Sequence, residues 1–405
     1  MNFIDGGVAA PIGFTTNGVL SGIKAGRTRP DTALIFSEKP CTAAGVFTKN
    51  KVQAECVKLS RRHVADGSAQ AVIVNSGNAN ACTGEQGAQA ALRMAQSAAS
   101  QLHLQEGDVL VCSTGVIGQQ LPVEKIEAKM ADLVAGLSKE GHQLAREAIM
   151  TTDTRYKEAA LETTIGGRTV RLGTMAKGSG MIHINMGTML GFITTDCAIS
   201  SAMLDKALWE SVEGTYNCVS VDGDTSTNDT LLILANGMAG NQVIDSEGAD
   251  YEAFLSALNQ LNRLMAKRIA ADGEGAEHLV ECRVDGAASV EDARILAKAV
   301  ISSNLVKAAF FGKDANWGRI LCAMGYSGGS FTPEKASVSF ASAAGGIQVF
   351  KEGVPLDFDE ELARRILSED ETYIEVELQD GNCSGTAWGC DLTYEYVKIN
   401  GDYRT

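Results

Sequence analysis

Apolar runs of strand length alternate along the chain with longer amphipathic stretches. Thr32-Ala33-Leu34-Ile35-Phe36, Ala71-Val72-Ile73-Val74 and the run 108–112 predict buried strands. The alanine-rich stretch 86–102 predicts a helix, and Pro122 suits the first turn of another over 122–137, with a second following at 138–149. Strands are expected at 158–164 and 168–174, a helix at 201–213, and a strand at 231–234. Residues 251–271 carry Leu255, Leu258, Leu261, Leu264 and Met265 at the spacing of a buried helix face. A strand at 278–284 precedes a helix at 289–303, whose first turn holds Glu291 and Asp292, the sign its dipole favours. Strands are predicted at 305–311, 336–350, 373–379 and 384–397.

Helix and strand patterns interleave throughout, with no fixed-period repeat and no Pro/Ser-rich linker. The expected fold class is therefore α/β, as one compact assembly of 405 residues. Hydrophobic residues at 45% and charged residues at 21% fit an ordinary globular protein. No run of about 18 apolar residues occurs, which excludes a membrane-spanning helix. The first residues lack a basic region followed by an apolar core, so a cytoplasmic location is expected.

Charge narrows the partners. The net charge of −15 speaks against a broad nucleic-acid surface. It is also uneven: residues 1–187 carry 19 Lys+Arg against 16 Asp+Glu, residues 188–405 carry 16 against 34. A solvated acidic surface accounts for most of this. Ten dispersed cysteines without a C-x-x-C pair read as reduced, mostly buried thiols. The five histidines show no ligand spacing, so no metal is expected.

The candidate chemistry centres on Lys177-Gly178-Ser179-Gly180 and the residues that follow, through Thr188 into the run Met189–Thr195. A hydroxyl after a glycine-rich loop, at the mouth of a strand, is a plausible nucleophile. If the chain cut itself before Thr188, the threonine would carry its own amine as base. From spacing alone Thr188 reads equally as an ordinary β-branched strand residue. Ser113-Thr114-Gly115 ends a buried strand, where a hydroxyl and a backbone N–H could meet an oxyanion; a plain turn has the same pattern. Lys177 could bind a carboxylate or phosphate, although the phosphate-loop order is absent. Glu274, between glycines, could meet an ammonium, and as a helix-end loop it needs no function.

Several motifs together are more specific. Lys177-Gly-Ser-Gly-Met-Ile, Asn185-Met186 and Thr188-Met-Leu resemble the self-cleavage motif of the glutamate N-acetyltransferase family, also called ornithine acetyltransferase. The likeness includes Val74–Gly84, Ser113–Gly118, Met150–Thr154, Asp272–Gly275, Gly312–Arg319 and Asn400–Thr405, in that order. The resemblance implies an αββα sandwich, similar in layering to N-terminal-nucleophile hydrolases. It implies cutting between Gly187 and Thr188 into an α chain, 1–187, and a β chain, 188–405, assembled as α2β2.

It further implies that Thr188 takes an acetyl group from N-acetylornithine and hands it to glutamate in arginine biosynthesis. Thr114 and Gly115 would form the oxyanion hole. Thr151, Lys177, Thr188, Glu274, Asn400 and Thr405 would contact substrate. No cofactor is implied, acetyl-CoA being a candidate co-substrate, and the partners are small molecules, with no nucleic acid and no membrane. The family usually has alanine before the nucleophile; Gly187 stands there in this chain, and slower cutting is the expected consequence. The alternative enzyme is a self-cleaving aminopeptidase or amidohydrolase that passes its acyl group to water. A non-catalytic, uncut amino-acid-binding protein is the reading from another class.

Overall fold

The computed structural model describes residues 1–183 and 189–402. Gly187, Thr188 and Thr405 therefore lie outside the described residues. A nine-stranded mixed sheet runs in the order Asn2–Ile4, Lys157–Ile165, Arg168–Lys177, Leu190–Thr195, Thr230–Ala235, Thr32–Phe47, Ser68–Asn78 and Val109–Val116. The ninth strand, Phe14–Val19, pairs with the start of the long Thr32–Phe47. Thr230–Ala235 shows why its centre is apolar throughout. Leu231, Ile233 and Ala235 enter one core, while Leu232 and Leu234 enter the other. A strand buried on both faces needs no polar alternation.

Helices Glu55–His63, Gly84–Leu102, Val123–Ala135 and His142–Ala148 cover one face of this sheet, and Ser201–Glu213 and Ala249–Ala271 cover the other. A six-stranded sheet, ordered Val354–Pro355, Gly345–Lys351, Ser337–Ser342, Glu371–Glu377, Leu279–Ala287 and Cys383–Cys390, shares the second core. Helix Val290–Ser302 packs on its last two strands. The layered α/β class is the one expected. Strands from both sides of residue 187 share the large sheet: Arg168–Lys177 pairs with Leu190–Thr195, and Thr32–Phe47 with Thr230–Ala235.

The structure corrects three local expectations. Residues 304–311 form a helix, not a strand: Ser303 caps it by accepting from Val306 N, and Val306, Lys307, Ala309 and Phe310 are buried at helical spacing. The stretch 336–350 is a hairpin of two strands, Ser337–Ser342 and Gly345–Lys351. The strand expected at 384–397 stops at Cys390. The Asp391 carboxylate then accepts from the N–H groups of Glu277 and His278, and the chain turns into helix Tyr394–Asp402. Among the described residues no helix is long and apolar enough to cross a membrane.

Candidate active site

A cavity of about 230 Å3 gathers segments remote in sequence. Thr114, Gly115, Thr151, Lys177, Glu274 and Asn400 all line it, as do Thr152, Asn228 and Tyr396. Every site residue expected from sequence that lies among the described residues is thus brought to one place.

The Thr114–Gly115 corner comes from the end of strand Val109–Val116, parallel to Ser68–Asn78. Gly115 has φ +132° and a Cβ on it would sit 2.4 Å from the Gly77 carbonyl carbon, so only glycine lets the two backbones close. Side-chain amides lock the corner. Asn228 donates from Nδ2 to Ala79 O at 2.6 Å and to Ser113 O at 2.8 Å. Ser113 Oγ donates to Asn75 Oδ1 at 2.6 Å, and Asn75 Nδ2 to Asn78 O at 2.9 Å. These bonds fix the backbone beside Thr114 and Gly115.

Lys177 ends strand Arg168–Lys177 and is 8% exposed. Its Nζ lies 3.9 Å from Asp153 Oδ2, within a buried chain of charges. Lys157 Nζ donates to Asp153 Oδ1 at 2.8 Å and also bonds Asp272. Asp153 further accepts from Gly178 N at 2.7 Å and Thr151 N at 3.0 Å. Burial alone would raise the Asp153 carboxyl; Lys177, Lys157 and the Gly178 N–H outweigh it and hold the group well below the usual carboxylate range. Asp272 accepts from Thr154 N and Arg155 N as well, at 3.1 and 3.2 Å. One ionic chain therefore fixes Lys177, the backbone of Thr151 and the turn leading to Glu274.

Glu274 faces the glycine-rich loop. A Cβ on Gly180 would fall 2.3 Å from the Glu274 carboxylate, which explains a glycine there. Glu274 N donates to Ser179 O at 3.0 Å, and Asn400 Nδ2 donates to Glu274 Oε2 at 2.8 Å. Asp222 accepts from Met181 N at 2.6 Å and Ile182 N at 2.8 Å, and the Tyr396 hydroxyl donates to it at 3.3 Å. Burial raises the Asp222 carboxyl more than the N–H groups of Asp224, Ile182 and Met181 lower it. Burial, with Asp222, Glu274 and Asp224 nearby, also raises the Tyr396 phenol, which stays protonated at neutral pH.

Sequence reading misses Asp153, Lys157, Asn228 and Tyr396. Asp153 lies inside the Met150–Thr154 motif, but nothing in the sequence pairs Lys157 with a carboxylate 115 residues away. The strand Lys157–Ile165 also carries Glu158 and Glu162, so the lysine that opens it does not stand out in the pattern. Elsewhere, Glu277, His278 and Asp391 lie close together, but both ring nitrogens of His278 are engaged, by Glu369 O and Lys313 Nζ.

The ArgJ family model matches residues 15–405. The chain is 52% identical over 406 residues to the arginine biosynthesis bifunctional protein ArgJ of Symbiobacterium thermophilum, with both chains covered completely. It is 49% identical over 405 residues to the protein of the same name from Caldanaerobacter subterraneus subsp. tengcongensis, again with full coverage. The crystal structure of ArgJ from Bacillus halodurans is 45% identical with a TM-score of 0.51, over 53% of this chain and 100% of the solved one. A match of nearly the whole length, with full-length relatives at about half identity, makes this chain a member of the ArgJ family of arginine-biosynthesis enzymes.

Proposed function

We propose that the protein cuts itself between Gly187 and Thr188 and then transfers an acetyl group from N2-acetyl-L-ornithine to L-glutamate. Acetyl-CoA serves as a second donor, in keeping with the word bifunctional in its relatives' names. The observation that carries this reading is the convergence on one cavity of a fixed cation, a carboxylate and a hydroxyl–N–H pair. Met189, the residue after Thr188, lines a recess of about 30 Å3 beside Thr114, Lys177 and Asn228. The Bacillus halodurans chain, covered in full by 53% of this one, has about the length that a cut near residue 187 would leave. The shared sheet would keep residues 1–187 and 188–405 together after cutting, and two such pairs in the cytoplasm complete the proposal.

The chemistry follows from these groups. The free Thr188 amine, with an ordinary pKa of about 7.7–8.0, accepts the proton of its own hydroxyl as Oγ attacks the acetyl carbonyl. The oxyanion accepts hydrogen bonds from the Thr114 hydroxyl and the Gly115 N–H. The C–N bond breaks, the proton passes to the departing amine, and ornithine leaves an acetyl ester on Thr188. The neutral amine of glutamate attacks the ester, returning the threonine. Lys177 meets the α-carboxylate that both substrates carry, and Glu274 meets an ammonium. Thr151, Asn400 and Thr405 complete the contacts.

Incubation with N-acetylornithine and isotope-labelled glutamate tests the transfer. Labelled N-acetylglutamate with ping-pong kinetics is expected. Free acetate without N-acetylglutamate would replace the transferase by a hydrolase.

A further inference from the structure

We propose that Asp224 meets the terminal ammonium of N-acetylornithine, and that the acid which favours this donor works against the side-chain carboxylate of glutamate. This rests on the acetyl transfer proposed above. The first observation is that the cavity has two ends of different chemistry. Its inner end is the recess beside Met189, which Thr114, Lys177 and Asn228 also line. Asp222, Asp224, Glu274, Tyr396 and Asn400 line the cavity but not that recess. An α-amino acid whose acetylated nitrogen and α-carboxylate lie at the inner end therefore carries its side chain toward the acids.

The second observation is how the three acids are occupied. Asp222 already accepts from the N–H groups of Met181, Ile182 and Asp224, the last at 3.1 Å, and from the Tyr396 hydroxyl. Glu274 has one oxygen engaged by Asn400 Nδ2. Asp224 is exposed, and among the described residues its carboxylate makes no hydrogen bond and no ion pair. An ammonium has three N–H donors, more than a single carboxylate with one oxygen engaged can satisfy. Asp224 supplies the second acceptor beside Glu274.

The third is that the backbone of Asp224 is held. It lies on strand Ser220–Thr225, antiparallel to Ile182–His183, with its N–H on the Asp222 carboxylate. Beside it, Thr225 Oγ1 donates to His183 O at 3.1 Å, and Thr225 O accepts from Asn50 Nδ2 at 2.9 Å. A carboxylate on a backbone so fixed needs little ordering to meet a cation. Among the described residues Lys177 is the one cationic side chain that lines the cavity, and it sits at the inner end. The outer end therefore attracts a terminal ammonium and repels a terminal carboxylate. The two substrates are alike at the α-carbon and opposite in charge at the end of the side chain, so Asp224 acts on them with opposite sign.

Initial rates with glutamate and two donors test the proposal: N-acetylornithine, and N-acetylnorvaline, which has the same carbon chain without the amine. In ping-pong transfer kcat/KM for each substrate reports its own half-reaction. Asp224→Asn should lower kcat/KM for N-acetylornithine about tenfold, leave N-acetylnorvaline within about twofold, and raise kcat/KM for glutamate by a few-fold. Asp224→Glu, which keeps the charge, should stay close to the unaltered protein. Equal losses with both donors, a fall for glutamate alongside N-acetylornithine, or no change with any of the three substrates would overturn the role of Asp224. An unaltered protein that acetylates no glutamate from N-acetylornithine would instead remove the transfer itself, and the inference with it.

Discussion

One wall of the cavity rests on buried ion pairs, Lys157 and Lys177 around Asp153 with Asp272 behind, whereas the opposite wall hangs on helix Tyr394–Asp402, in which no residue is buried. The first wall presents Lys177, which we propose meets a substrate carboxylate, and shares the large sheet with the Thr114–Gly115 corner. The second presents Glu274 and Asn400, tied by one bond at 2.8 Å. A buried ionic network tolerates no missing partner, since each charge left alone in a dry site is costly. Glu274 is itself buried, but the Asn400 that bonds it is exposed, and an exposed partner costs little to lose. Damage to the first wall should therefore read out as lost folding, and damage to the second as altered substrate binding.

The largest effect is expected from Lys157→Met, which leaves Asp153 and Asp272 facing each other in the interior. Urea unfolding should report a loss of about 3–5 kcal/mol. A loss under 1 kcal/mol would mean that the network does not carry the wall. Next comes Thr114→Val, which keeps shape and removes one of the two proposed oxyanion donors. A fall in kcat of about 10²–10³ is expected, with KM and unfolding little changed. Acidification separates the walls by sign. Asp153 has its carboxyl depressed in the folded protein, so its stabilisation is present above the ordinary carboxylate pKa of about 3.9 and is lost as pH falls below it. Asp222 is raised, so its protonation on acidification favours the folded state. Unfolding free energy against pH should be flatter for Asp153→Asn than for the unaltered protein, and steeper for Asp222→Asn. The smallest effect belongs to Asn400→Ala: a few-fold rise in KM, about 1 kcal/mol or less, with unfolding unchanged. An Asn400 variant that unfolds as readily as Lys157→Met would erase the distinction between the walls.

Much of this was legible in the sequence because local physics decided it. Leu258, Leu261 and Met265 mark a buried helix face, and helix Ala249–Ala271 lies where they put it. Glycines mark the site for a similar reason: Gly115 and Gly180 stand where a Cβ would strike a backbone or a catalytic-cleft carboxylate. Residues 304–311 misled because a run of eight mostly apolar residues suits either element, and the Ser303 cap decides it. The ionic chain was illegible for another reason. Lys157 and Asp272 meet only through the packing of Ala249–Ala271 on strand Lys157–Ile165, and Asn228 bridges Ala79 and Ser113 only once three segments have converged. Contacts of that range leave no periodic trace.

The central claim is that Thr188 becomes an N-terminal nucleophile carrying acetyl. Mass spectrometry of the purified protein before and after N-acetylornithine, with glutamate withheld, tests it most directly. The account predicts two fragments, of 187 and 218 residues, that replace the 42.7 kDa chain, and one added acetyl group on the fragment that begins at Thr188. A single full-length species, or acetyl on any other residue, would contradict it.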